Sequence, residues 1–363
     1  MKRILLILPV IALLLPATGF AQKASELKYV DARSLMLIGQ GYDNTELYYS
    51  RLPEDMKSVT RKAVWDLGLN SAGLAVRFST DSKTIGLRWT LLNHFIMHHM
   101  AGTGIRGIDL YILDENDHWQ FIGTGIPNGK DTTKMQIVVS GMEGKPHEYM
   151  AYLPLYDGVT QVEIGVSRSA HIGMPQRDVL VKGKDKPIVF YGTSITQGGC
   201  ASRPGMVYTS IISRALNKEC INLGFSGNAR MDKAMAEMVA RVDADQYVID
   251  CLPNCTIKVM QDSAWYFLTY LAEKRPETPI YMVEHIWFSH AIVNRPVYDQ
   301  IAEKNAWWHE LYLKLREEGY DNFRYIPADG LIGPDGEGTV DGTHMTDLGF
   351  LRMAEEFLRY LRK

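Results

Sequence analysis

From about residue 28 to residue 183 apolar side chains recur at every second position. Leu74-Ala75-Val76-Arg77-Phe78, Ile85-Gly86-Leu87-Arg88-Trp89-Thr90, Ile108-Asp109-Leu110-Tyr111-Ile112 and Gln161-Val162-Glu163-Ile164-Gly165-Val166 are short runs of this kind, separated by Gly, Asp, Asn and Pro. A period of two puts alternate side chains on opposite faces of a strand, so the stretch predicts an all-β, jelly-roll-like sandwich of antiparallel strands. Helical patterning is nearly absent from it.

Val181-Lys182-Gly183-Lys184-Asp185-Lys186-Pro187 is polar and punctuated, as a domain junction would be. It divides a sandwich over 22–184 from a second domain over 185–363. In the second domain the rhythm changes. Apolar runs at Ile188–Tyr191, Cys220–Leu223, Tyr247–Ile249, Ile280–Val283 and Phe323–Ile326 alternate with longer amphipathic stretches. Strand and helix in alternation predict a three-layer α/β domain with a mostly parallel five-stranded sheet. Sites in such sheets form beyond the carboxyl ends of the strands.

The first residues change the compartment expected for this fold. Met1-Lys2-Arg3, the apolar stretch Ile4–Leu15 and the small residues before Ala21 have the layout of an export signal cleaved after Ala21. The apolar core is short for a membrane span, and no later segment supplies a long uncharged run. The expectation is a soluble periplasmic or extracellular protein without membrane insertion. Cleavage moves the net charge from −3 to −5 by removing Lys2 and Arg3. A mildly acidic chain argues against a nucleic-acid partner, which demands clustered Lys and Arg. Export permits disulfides, but the spacing of Cys200, Cys220, Cys251 and Cys255 selects none of the three pairings and is equally compatible with free thiols. With no tight CxxC pair, zinc is a poor reading of these cysteines, and no metal site is expected.

The chemistry gathers where the strands end. Ser194, in Tyr191-Gly192-Thr193-Ser194-Ile195, follows the first apolar run, and Asp341-Gly342-Thr343-His344 stands near the carboxyl end of the chain. A serine hydroxyl is a poor nucleophile near neutral pH. It needs an imidazole to take its proton and a carboxylate to hold the tautomer. Each string alone also reads as turn or capping chemistry. Between them, the second strand ends in Asn222-Leu223-Gly224-Phe225-Ser226-Gly227-Asn228, a glycine-rich loop whose backbone N–H groups can approach an oxyanion. The third runs into Cys251-Leu252-Pro253-Asn254, where the Asn254 amide can donate to the same oxygen.

Together these four loops resemble the SGNH hydrolase superfamily, the GDSL esterases and lipases. The resemblance spans the C-terminal domain and implies a serine carboxylester hydrolase that needs no cofactor. It implies Ser194 as nucleophile, His344 as base and Asp341 as its orienting acid. The Ser194 amide, Gly227 and Asn254 would form the oxyanion hole. One departure is Thr193, where the family places the Asp of Gly-Asp-Ser, which puts the hydrogen bonding around the serine in question. Gly107-Ile108-Asp109-Leu110-Tyr111 is similar to the Gly-x-Asp-Leu-Tyr signature of the β domain that precedes one branch of these esterases.

Several residues remain beside that core. His285 and Trp287 follow the fourth strand, and Arg203 follows the serine loop, so all three are candidates for a substrate pocket. A competing role for His285 is the general base, and Arg203 alternatively forms a salt bridge. His94, His98 and His99 could form a metal or substrate loop, but without an acidic or cysteine partner at ligand spacing they are expected to be structural or to lie at an interface. Asp329 and Asp335 sit among Gly and Pro and read as turn residues. Gly102-Thr103-Gly104 and the nearby histidines are expected to reach the catalytic edge, with the sandwich walling one side of the cleft. The domain pairing makes an acylated carbohydrate the expected substrate, bearing acetyl or another short acyl group. A general short-chain arylesterase or lipase-like enzyme and a non-catalytic glycan-binding protein are the competing readings.

Overall fold

The computed structural model describes residues 23–362; the expected export signal and its cleavage point lie outside them. Two antiparallel sheets form the N-terminal sandwich. One has four strands in the order Lys28–Asp31, Val159–Val166, Thr84–Leu91 and Thr133–Ser140. The other has six, running Ile172–Gly173, Ala75–Thr80, His147–Tyr152, Ile108–Leu113 and Trp119–Gly125, with Met36–Ile38 also paired to Ala75–Thr80. The inner faces meet through Val76, Phe78, Leu87, Trp89, Leu110, Tyr149 and Ile164. The alternate residues Ala75, Tyr111, Met150 and Tyr152 are buried too, in a separate cluster on the other face of the six-stranded sheet. That face meets the C-terminal domain, where Tyr152 donates to the Ser210 carbonyl at 3.4 Å.

The C-terminal domain is a five-stranded parallel sheet in the order Cys220–Gly224, Ile188–Gly192, Gln246–Asp250, Ile280–Val283, Phe323–Ile326. Alternation along each strand feeds two cores. Val189, Tyr191, Leu223 and Ile249 pack with the helices Lys233–Val239, Ile257–Lys274 and Arg295–Glu317. Ile188, Phe190, Val248 and Val283 pack with Tyr208–Leu216 and Asp347–Leu361. With both faces covered, near-continuous apolar strands are what a parallel sheet requires.

The near absence of helix expected before residue 184 needs correction. Helices Lys62–Gly68 and Gly102–Arg106 and the 3-10 turn Glu54–Ser58 lie within that stretch. Seven residues make barely two turns, too few for a helical period to emerge. Glu54–Ser58 and Lys62–Gly68 join one hydrolase-side core, where Leu52, Met56, Val64 and Trp65 belong to the same cluster as Ile221, Leu223 and Val242, and Ile105 of Gly102–Arg106 joins the other, with Phe190 and Val248. Among the described residues no helix is long and apolar enough to cross a membrane.

Candidate active site

Ser194 opens a single helical turn, Ser194–Gln197, immediately beyond the strand Ile188–Gly192. The turn can start there because Gly192 lacks a side chain. A Cβ on Gly192 would lie 1.9 Å from Thr196 Oγ1 and 2.6 Å from the Asp250 carbonyl. Thr193 settles the local hydrogen bonding: it is fully buried, and its Oγ1 accepts from the Ile195 amide at 3.2 Å as a helix cap. The acid usual at this place in the family is not needed for that bond.

The structure brings Ser194, His344 and Asp341 together across 150 residues. Ser194 Oγ lies 2.9 Å from His344 Nε2, and His344 Nδ1 lies 2.7 Å from Asp341 Oδ2. Asp341 Oδ1 accepts from the amides of Thr343 at 3.0 Å and His344 at 2.7 Å. Partial burial pushes the Asp341 carboxyl up, but the His344 amide and ring and the Thr343 amide outweigh it, leaving it lowered to about 2. Asp341 is therefore ionised at neutral pH and can hold Nδ1–H, which turns Nε2 toward Ser194 as the acceptor.

Gly227 and Asn254 lie on neighbouring loops. Gly227 has φ +67°, a conformation suited to glycine, and a Cβ there would meet nothing within 4 Å. Asn254 Oδ1 accepts from the Ala229 amide at 3.2 Å, which leaves its Nδ2–H₂ free to donate elsewhere. Among the described residues, the Ser194 amide, the Gly227 amide and Asn254 Nδ2 have no acceptor in the protein. Gln197 ties two of the loops together, accepting from the Ser226 amide at 3.0 Å and donating to the Leu155 carbonyl at 3.2 Å.

Sequence reasoning missed the supports that reach this loop from the N-terminal half. Arg51 is fully buried without a carboxylate partner and donates to the carbonyls of Asn222 at 3.0 Å and Gly224 at 2.8 Å. Arg61 donates to Asn228 Oδ1 and to the Asn228 carbonyl, each at 2.7 Å. Tyr156 donates to the Ser194 carbonyl at 3.1 Å. No spacing connects such residues to the loops they hold.

Other candidates fall differently. Arg203 takes up the salt-bridge role: it donates to buried Asp109 at 2.9 Å and to the Tyr111 hydroxyl at 2.6 Å, with its guanidinium 3.8 Å from the Phe121 ring centroid. The Asp and Tyr of the Gly-x-Asp-Leu-Tyr string are thus the sandwich's grip on the serine domain. His285 is neither base nor pocket wall. It is 1 % exposed, its Nδ1 lies 2.6 Å from the Ile286 carbonyl, and burial, with Lys304 nearby, pushes its imidazole down to about 3. Trp287 does line open space, stacked on Tyr298 at 5.0 Å beside a cleft of about 600 Å³ that Phe288, Arg295 and Asp329 share. Asp335 pairs with Arg352 at 2.7 Å. The four cysteines are free, buried thiols.

The sandwich reaches the catalytic edge. Thr103 Oγ1 donates to the Ser202 carbonyl at 2.5 Å, and His99 Nε2 lies 3.9 Å from Asp341 Oδ2. That corrects the view of His99 as lacking an acidic or thiol partner, since Asp341 and Cys200 both approach it from the far half of the chain. His94 instead contacts Arg106 at 3.0 Å. A second cleft, of about 390 Å³, lies between Phe95, Met97 and Leu67 on one side and Ser226 and Asn228 on the other.

Residues 185–362 match the GDSL-like lipase/acylhydrolase family, and residues 27–172 match the N-terminus of SGNH-hydrolase-type esterases. A protein described as a GDSL-like lipase from Bacteroides ovatus ATCC 8483 shares 37% identity and a TM-score of 0.87, over 92% of this chain and 97% of that one. The chain belongs to the GDSL-like lipase/acylhydrolase family and is an SGNH-type carboxylic ester hydrolase. The same two-domain fold occurs at 16% identity and a TM-score of 0.74 in the salicylyl-acyltransferase SsfX3 from a tetracycline biosynthetic pathway, over 94% of this GDSL-like chain and 98% of that one. No curated protein matches the sequence.

Proposed function

We propose that this chain is an exported serine esterase that removes acetyl or other short acyl groups from a glycan through an acyl-Ser194 intermediate. The observation that carries the chemistry is a serine–imidazole–carboxylate chain beside three hydrogen-bond donors with no acceptor of their own. His344 Nε2 takes the Ser194 proton as Oγ attacks the ester carbonyl, and Asp341 stabilises the imidazolium. The oxyanion accepts from the Ser194 and Gly227 amides and from Asn254 Nδ2. Loss of one such donor costs about 2.7–4 kcal/mol of barrier. Collapse breaks the ester C–O bond, and His344 returns the proton to the departing alkoxide. Water, deprotonated by His344, then attacks the acyl-serine and releases the acid.

The glycan part is supported by the cleft at Trp287 and Tyr298. Its neighbour Ser289 donates to the Gly342 carbonyl at 3.1 Å, so the cleft borders the loop that carries Asp341 and His344. An aromatic face edged by Arg295 and Asp329 suits a sugar ring, which has apolar C–H faces and a polar rim. The apolar cleft at Phe95 and Met97 favours a second reading, a general short-chain arylesterase or lipase-like enzyme that accepts a bulkier acyl group. A glycan-binding protein without catalysis has the aligned Ser194, His344 and Asp341 against it.

Two assays test the proposal. Wild type should hydrolyse p-nitrophenyl acetate and Ser194→Ala should not; full activity in the variant refutes the serine assignment. Acetate release from a panel of acetylated glycans, run beside a series of acyl-chain lengths, tests the substrate. No glycan turnover, or a preference for long chains, overturns that part.

A further inference from the structure

We propose that the catalytic edge also forms an inhibitory site for a borderline-soft divalent cation, best matched by Zn²⁺, built from His99, Cys200, Asp341 and His344. One ligand atom from each residue lies within 4.8 Å of every other. Zn²⁺ accepts all four of these donors, whereas Ca²⁺ and Mg²⁺, which take oxygen, would find only the Asp341 carboxylate. In a tetrahedral zinc site with bonds of about 2.0–2.3 Å, the donor atoms stand roughly 3.3–3.8 Å apart, so these side chains must close by about 1 Å.

The group is arranged to allow that closure. Cys200 is the fixed member, buried and held at φ +72°, a left-handed conformation that a non-glycine residue keeps only where its surroundings impose it. His99 is the adjustable one, its side chain 37% exposed on a loop from the sandwich. The cation displaces the thiol proton and is held by residues from both domains.

Inhibition follows from the shared ligands. Asp341 and His344 cannot orient and deprotonate Ser194 while they coordinate a cation. His99 and Cys200 have no part in the proposed hydrolysis, so their removal separates binding from catalysis. The inhibitory claim rests on the reading of Asp341 and His344 given above; the binding claim does not.

The test titrates ZnCl₂ against the mature enzyme, following p-nitrophenyl acetate hydrolysis and, by calorimetry, stoichiometry. Co²⁺ serves as a spectroscopic substitute. We expect one Zn²⁺ per chain, reversible by a chelator, with loss of activity at saturation. Cys200→Ser and His99→Gln should each keep most of the basal rate and raise the inhibitory concentration at least about ten-fold. Cys200→Ser should also abolish the thiolate-to-Co²⁺ charge-transfer absorption. Absence of binding, inhibition unchanged in both variants, or binding without inhibition overturns the proposal. Full activity in Ser194→Ala would instead refute the esterase reading and leave the calorimetric and Co²⁺ results standing.

Discussion

Asp109 and Asp341 each accept three hydrogen bonds, and the two carboxylates serve opposite ends. Asp109 is fully buried and accepts from Thr124 Oγ1, Arg203 and the Gly205 amide, all at 2.9 Å. Asp341 keeps a side chain 34% exposed, and its third donor is an imidazole rather than a guanidinium. Burial raises the Asp109 carboxyl despite Arg203, whereas the donors around Asp341 prevail over its partial burial. A permanent cation on a fully buried carboxylate between two domains makes a fastener. A titratable partner on a carboxylate left beside solvent can give and take a proton, which is what a base in a hydrolase must do.

Exchanging the acid for its amide at each site should separate the two uses. Asp341→Asn should keep the fold and lower kcat by about 10⁴, because the amide no longer selects the tautomer that presents Nε2 to Ser194. Steady-state kinetics with an unchanged circular dichroism spectrum would check it. Asp109→Asn should do the reverse, lowering unfolding free energy by roughly 3 kcal/mol in a denaturant titration while the folded fraction keeps its kcat within about two-fold. This is the low end of the roughly 3–5 kcal/mol for breaking a buried ion pair, because Asn retains an acceptor for the Gly205 amide and Arg203 can regain water at its partly exposed side chain.

Asn254→Ala sharpens the catalytic side of the contrast. It removes a single donor and should reduce kcat by about 10²–10³ with little change in KM, since the oxyanion exists only along the reaction path. Equal losses in kcat and in ground-state binding would argue against that role.

Asp250 extends the comparison to a buried carboxyl with no cation. Burial raises it to about 7, against the hydrogen bonds from Tyr208 and Thr196. Its folded value lies above its unfolded one, so the folded state binds the extra proton between about pH 4 and pH 7. Stability should fall as pH rises through that window, by about 4 kcal/mol, and level off above it. Asp250→Asn should flatten this part of a melting-temperature profile.

Much of the frame was legible in sequence because local chemistry dictates it. The parallel strands are short, mostly apolar runs ended by glycine, acid or, after Ile326, proline, and Ser194, Gly227, Asn254 and Asp341/His344 each follow one or stand in a distinct string. The illegible parts depend on contacts between distant segments. The salt bridge read for Arg203 is present, but its partner could not be named from the sequence, because Asp109 lies 94 residues earlier and the pairing exists only once the domains meet. His285 sits at the right edge of the sheet but turns inward, with its backbone held by Asn305 from a helix 20 residues on. His99 had no ligand-spaced partner along the chain, and the fold supplies two from the opposite domain.

Ser194 alone should become covalently modified during turnover. Peptide mapping after treatment with an active-site-directed fluorophosphonate tests it most directly. One adduct per chain is expected, on the peptide carrying Ser194, formed far more slowly in Asp341→Asn. An adduct on another residue, or esterase activity that persists after Ser194 is fully labelled, would contradict it.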